Sequence, residues 1–154
     1  IRWIMAADMR TPALEWFWTY SQIIFVDRRS RDLSGMREAV RHIKSGGVVG
    51  IFPEGGLERP ARTILPFQAG VGLLIRRTGA RVLPAVVTDT PIADNAFESL
   101  TLRSRSRVMF HEPIDYSGQQ WNAESIADDL RARFAGWTGW PLNDKQPELP
   151  DAQS

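Results

Sequence analysis

The alternation of short apolar runs with helix-period segments constrains this chain more than any other feature. QIIFVD (22–27), VVGIF (48–52) and VLPAVV (82–87) are brief, rich in β-branched residues and bounded by charge, proline or glycine. That is the pattern of buried strands. Between the first two, Met36, Ala39, Val40 and Ile43 recur at i, i+3, i+4 and i+7. The spacing predicts an amphipathic helix capped by Ser34, with Lys44 in its last turn and Gly46-Gly47 as its stop. Between the second and third, ILPFQAGVGLLIRRTG predicts a helix that ends at Gly79. Strands and helices in alternation predict an α/β fold with a mixed, largely parallel sheet flanked by helices.

The remaining segments fit around that frame. IRWIMAADM (1–9) is an apolar stretch already under way and opens on Ile rather than Met, which points to an N-terminal part upstream. In TPALEWFWTYSQ, Thr11 can cap a short helix with Pro12 at its first position. That helix carries Trp16, Phe17, Trp18 and Tyr20, a cluster that suits either a core or a membrane interface. Residues 100–110 alternate as a half-exposed strand does, with Arg103, Arg105 and Arg107 on one face. A last helix is predicted over 122–136, with Ile126, Leu130, Arg133 and Phe134 on one side. From Pro141 the chain is polar and Pro-rich, so the reading is one domain over 1–140 and a disordered tail over 141–154.

Composition removes several function classes. The 154 residues suffice for one domain with a real core. Cysteine is absent, which excludes disulfides, thiol nucleophiles and Cys-metal sites. Two histidines far apart in sequence predict no metal site. The net charge of +1 gives no footprint for a nucleic-acid partner. That charge is uneven, with 16 Lys/Arg against 12 Asp/Glu over 1–115 and 3 against 6 over 116–154. A mild Arg excess in the body suits a phosphate-bearing ligand or an anionic lipid surface. No apolar run approaches the roughly 18–20 residues of a membrane span.

The chemistry concentrates in IFPEGGLERP (51–60). Glu54 has three readings: a general base, an acceptor for a substrate hydroxyl, or a buried partner of an arginine. Gly55 and Gly56 permit a tight turn and close approach of a ligand. Arg28, at the exit of the first predicted strand, could grip a phosphate or carboxylate with two bonds. Arg59 and Arg62 offer the same chemistry, and each is equally readable as a solvated surface residue. A P-loop is excluded, because GGVVGIFPEGG lacks the Gly-Lys-Ser/Thr ending. His42 reads as a helix-surface residue, and His111 with Asp115 has no purposeful spacing.

The order and spacing of IIFVDR, GIFPEGG, LPFQAGVGLLI, VLPAVV and FHEPID resemble the lysophospholipid acyltransferase family, whose type is the 1-acyl-glycerol-3-phosphate acyltransferase. The resemblance covers about residues 1–116. It implies an enzyme of phospholipid biosynthesis that moves a fatty acyl group from acyl-CoA or acyl carrier protein to a glycerolipid hydroxyl. It implies no cofactor beyond that acyl donor, and a place at the cytoplasmic side of a membrane as a peripheral protein. It implies substrate-binding roles for Arg28, for Phe52, Pro53, Glu54 and Gly55, and for Pro84 within Leu83-Pro84-Ala85 on the acyl-donor side.

Two departures stand out. Gly56-Leu57-Glu58 replaces the family's Thr-Arg-Ser after Gly55, so Arg59 or Arg62 would have to supply the missing phosphate contact. The family's His-x-x-x-x-Asp base motif occurs nowhere in the 154 residues. No catalytic residue is therefore assigned here, and the expectation is a truncated, inactive body whose catalytic motif lies upstream. The alternative is a non-catalytic acyl-CoA or lipid binding module at a membrane surface. A peripheral scaffold held by the aromatic cluster and the Arg stripe is a third reading.

Overall fold

The computed structural model describes residues 1–27, 33–56, 60–91, 102–118 and 120–146. Three strands form a parallel sheet in the order β2-β1-β3, with β1 at Arg2–Ala6, β2 at Ile24–Val26 and β3 at Val49–Gly50. The opening apolar stretch, which the periodicity had assigned to no element, is thus the central strand. Ile4 pairs with Ile24 and Trp3 with Gly50. From β1 the chain crosses to β2 on one side, then returns past β1 to β3 on the other. The crossovers leave a switch point between the carboxyl ends of β1 and β3.

The helices follow the pleat of that sheet. Arg2, Ile4, Ile24 and Val49 share one face, and α2 (Ser34–Lys44) lies on it. Ala39 is fully buried there, with Met36, Val40 and Ile43 packed beside Ile24 and Leu74. The approach is close because of Gly35: a methyl group at that position would collide with the Phe25 carbonyl oxygen. On the opposite face sit Trp3, Met5 and Phe25, and α1 (Glu15–Ser21) covers only the outer part, through Trp18 against Phe25. Thr11 makes no side-chain cap. Pro12–Leu14 is a 3₁₀ turn, and the α-helix starts only at Glu15.

A second layer contains α3 (Ala69–Thr78) and α4 (Ala123–Thr138). Gly79 closes α3 with φ of +64°, as its position after the apolar run predicts. A capping box opens α4: the Ser125 N–H donates to Asn122 Oδ1 at 2.7 Å, and the Asn122 N–H donates to Ser125 Oγ at 3.0 Å. The two helices meet at Gly72, where any side chain would run into the Ala123 carbonyl oxygen. Between them lies the larger core, with Phe67, Val71, Ile75, Ile126 and Leu130 buried. Arg133 does not join that side; it is exposed and donates to Asp129 at 2.7 Å.

Three strand expectations need correction. VVGIF forms only the two-residue β3. VLPAVV yields β4 at Ala85–Thr88, and this strand is not a member of the parallel sheet. It pairs antiparallel with β5 (Arg107–Phe110), Ala85 opposite Phe110 and Thr88 opposite Arg107. Among the described residues of 100–110, only those four form a strand, and all four are exposed. Arg103, Arg105 and Arg107 are exposed, and Arg107 lies 3.6 Å from the Asp89 carboxylate. The chain also stays attached past residue 140, where the sequence pointed to a tail. The Ile64 N–H donates to the Pro141 carbonyl at 3.0 Å, and the Asn143 N–H donates to the Ile64 carbonyl at 2.9 Å. Arg131 adds bonds to the Ile64 and Asn143 carbonyls. Residues 147–154 lie outside the described part.

Replacing Gly72 by Ala should destabilise the domain by about 1–3 kcal/mol, because a buried backbone atom has to move. Gly136 in α4 has open space around it, so Gly136→Ala should stabilise by about 0.5–1 kcal/mol through helix propensity. Denaturant titrations of the two variants measure both signs.

A polar pin joins α4 to the segment before it. The buried Tyr116 hydroxyl donates to Asp129 Oδ2 at 2.6 Å. Burial, then the Asp129 bond and charge, push the Tyr116 hydroxyl pKa upward. Burial alone would raise the Asp129 carboxyl, but the bonds from Arg133 and Tyr116 outweigh it and hold it below the ordinary value. A depressed carboxyl contributes stability above its unfolded pKa of about 3.9 and loses it as pH falls through the lower folded value. Between about pH 5 and about pH 2, wild type should therefore lose more stability than Asp129→Asn does, measured by urea melts across that range.

Candidate functional site

The segment after β3 folds back on the start of α3. Gln68, at the cap position of α3, donates its backbone N–H to the Pro53 carbonyl at 2.8 Å. Its side-chain amide donates to the Glu54 carbonyl at 3.3 Å. The Leu65 N–H donates to Glu54 Oε1 at 3.3 Å. Glu54 is half-buried. One carboxylate oxygen of Glu54 thus accepts a bond from the backbone of the segment that leads into α3. Gly55 has φ of +70°, a conformation that calls for glycine, and a Cβ there would press on Gln68 Cγ at 3.1 Å.

Phe52 leaves the sheet on the face opposite α2 and stacks on Trp3, with ring centroids 5.5 Å apart. The Trp3 ring also lies across Gly50, which has no side chain to keep it away. Phe52 stays 67% exposed. The loop therefore presents an aromatic face, a half-buried carboxylate and two glycines at the switch point between β1 and β3. In open α/β sheets that crevice is where ligands bind.

The sequence candidates are partly reunited. Phe52, Pro53, Glu54, Gly55 and Gly56 form this loop. Arg28 and Arg59 lie outside the described residues. Arg62 is exposed and holds a left-handed backbone with φ of +63°, a conformation that is uncommon for a non-glycine residue. Pro84 is buried beside the second ladder, where its carbonyl accepts the His111 N–H at 3.0 Å; Leu83 next to it is exposed. His111 stacks flat on Trp137 with centroids 4.0 Å apart. The His42 ring packs against the backbone of Gly47. Leu65, Gln68 and Trp3 were missed by sequence reasoning. Leu65 and Gln68 stand within the LPFQAGVGLLI segment, and Trp3 carried no signal.

The acyltransferase family model matches residues 1–88, which run from β1 through the loop to β4. The chain belongs to the acyltransferase family. Glycerol-3-phosphate O-acyltransferase 2 of Saccharomyces cerevisiae is 35% identical over 79 residues, covering 51% of this chain and 10% of that protein. The crystal structure of the 1-acyl-sn-glycerophosphate (LPA) acyltransferase PlsC from Thermotoga maritima superposes with a TM-score of 0.62 at 23% identity. That match covers 90% of this chain and 56% of the PlsC chain. This acyltransferase-family chain thus spans about half of its solved relative and a tenth of the yeast protein, and it shares the fold of the former.

Gly55→Ala should cost about 1–2 kcal/mol, the penalty of a left-handed L-residue. Gln68→Ala, which removes one exposed side-chain bond, should cost about 0.5–1.5 kcal/mol. Chemical denaturation of the two variants checks the order.

Proposed function

We propose that this chain is the substrate-binding body of a glycerolipid acyltransferase of phospholipid biosynthesis. The reaction moves a fatty acyl group from acyl-CoA or acyl carrier protein to the hydroxyl of a lysophosphatidate-like acceptor. The observation that carries the reading is the Phe52–Gly56 loop, clamped on the start of α3 at the sheet's switch point in a family member. In the transfer the acceptor oxygen attacks the thioester carbonyl, a C–O bond forms and the C–S bond breaks. The hydroxyl proton passes to a base and ends on the departing thiolate. A carboxylate offers about four lone-pair sites, so Glu54 can hold the Leu65 N–H and orient the acceptor hydroxyl together. Arg28 and either Arg59 or Arg62 supply positive charge for the acceptor phosphate, which gives orientation.

The base is the part this chain does not carry. The sequence has no His-x-x-x-x-Asp. His42 packs on Gly47, and His111 on Trp137. In this reading the base comes from polypeptide outside the 154 residues, and the isolated chain turns over no acyl-CoA. The second reading, an acyl-CoA or lipid binding module without transfer, is favoured by that same missing motif.

Acyl-CoA turnover assays on the 154-residue chain and on the longest in-frame protein separate the two. The expected result is no thiol release by the chain and robust release by the longer protein. In the longer protein Arg28→Ala should raise the acceptor KM at least tenfold and leave the donor KM within twofold. Silence of both proteins, with acyl-CoA binding retained, selects the binding module instead.

A further inference from the structure

Gln68 stands at the cap position of α3, yet its side chain does not cap the helix. A cap side chain ordinarily accepts a bond from the first turn of its own helix, and Ser, Thr, Asp or Asn does so best. Gln68 is also exposed, so it fills no core. Its side chain turns back on the preceding loop instead. Nε2 donates to the Glu54 carbonyl at 3.3 Å, and Cγ stands 3.1 Å from where a Cβ of residue 55 would lie. The Gln68 side chain thus runs beside the peptide that joins Glu54 to Gly55.

That peptide belongs to a turn whose carbonyls are all held. The Gly55 N–H donates to the Phe52 carbonyl at 3.3 Å, and the Gln68 N–H donates to the Pro53 carbonyl at 2.8 Å. With the Glu54 carbonyl, three successive acceptors are engaged, two of them by Gln68. The Glu54 side chain leaves from the same turn, and its Oε1 accepts the Leu65 N–H at 3.3 Å. Leu65 and Gln68 belong to one short segment, so backbone and carboxylate of Glu54 are tied to the same support. Rotation of the 54–55 peptide would swing the carboxylate off that support.

We propose that Gln68 is a positioning residue for the acceptor: its two donors fix the Pro53-Glu54-Gly55 backbone, so that the Glu54 carboxylate meets the acceptor hydroxyl in one orientation. The inference rests on the acyltransferase reading, since the acceptor is the substrate of that reading. A misplacement of about 1 Å in a substrate-orienting group is enough to slow a reaction by about a hundredfold. Glutamine suits the task by reach and by chemistry. Asparagine is one methylene shorter, and glutamate would set an acceptor against a carbonyl oxygen. Methionine keeps the length without the donor, and lysine keeps both. The backbone bond to Pro53 is available to each variant, so their differences report the side-chain amide.

The test has two arms. In the 154-residue chain, NMR should show the Leu65 amide proton exchanging at least threefold faster in Gln68→Met than in wild type. The Val82 amide, bonded to the Ile114 carbonyl, serves as the reference and should not change. In the longest in-frame protein, Gln68→Met should raise the KM for lysophosphatidate at least fivefold and leave the KM for oleoyl-CoA within twofold. Gln68→Lys should bring the acceptor KM back to within twofold of wild type. A merely structural residue gives another pattern, because loss of folded protein lowers kcat and leaves both KM values alone. That pattern would overturn the proposal, as would equal acceleration of Leu65 and Val82 or an unchanged Leu65 rate. No turnover by the wild-type longer protein would sink the acyltransferase reading and the acceptor role with it, and the exchange arm tells that failure apart from a failure of the Gln68 contact.

Discussion

Everything in the parallel sheet depends on β1 being hydrogen-bonded on both sides. Its partners come from residues 20 and 47 positions further on, so neither pairing is local. Each pairing closes a long loop before it gains any contact, and the helices in those loops repay that entropy. α2 does so through Gly35, which lets its Ala39 face reach Ile24 and Ile4. The carboxyl ends of β1 and β3 are then neighbours, and the loop after β3 inherits the switch point.

The candidate loop is held by groups that lie outside it. Glu54 is oriented by the backbone of Leu65, and Pro53 and Glu54 are hung on Gln68. These partners sit eleven to fifteen residues downstream, where the chain turns into α3. A packed helix start is a rigid support, and sites on rigid supports keep their geometry when a ligand arrives. The aromatic side of the same loop is built differently, by Phe52 on Trp3 across the glycine of a neighbouring strand.

Period and punctuation made much of this legible. The apolar spacing of α2 and the glycine closing α3 stand where the pattern places them, because both reflect local chemistry within a few turns. The motif order from IIFVDR to FHEPID pointed to the family, and the Phe-Pro-Glu-Gly loop to its place after a strand. Where the reading slipped, a non-local partner decided. IRWIMA became a strand only because β2 and β3 flank it. VLPAVV turned antiparallel because its partner is β5, and strand direction leaves no mark in a run of apolar residues. Pro141–Asn143 was drawn out of the expected tail by Ile64, nearly eighty residues away, and by Arg131, 12 residues before Asn143.

By itself, then, the amino-acid order determined the α/β class, the apolar face of α2, the stops of α2 and α3, the family, and the absence of a His-x-x-x-x-Asp base within these residues. Those are properties of composition, of short-range period and of motif. Tertiary structure alone decided that β1 is central and that Gln68 and Leu65 hold the Glu54 loop. It also decided that Pro84 is buried with a carbonyl bonded to His111, and that Trp18 turns inward while Trp16 and Tyr20 face out. The physical reason is common to all of them. Each depends on which distant backbone or ring arrives alongside, and a sequence read through local period carries no term for that.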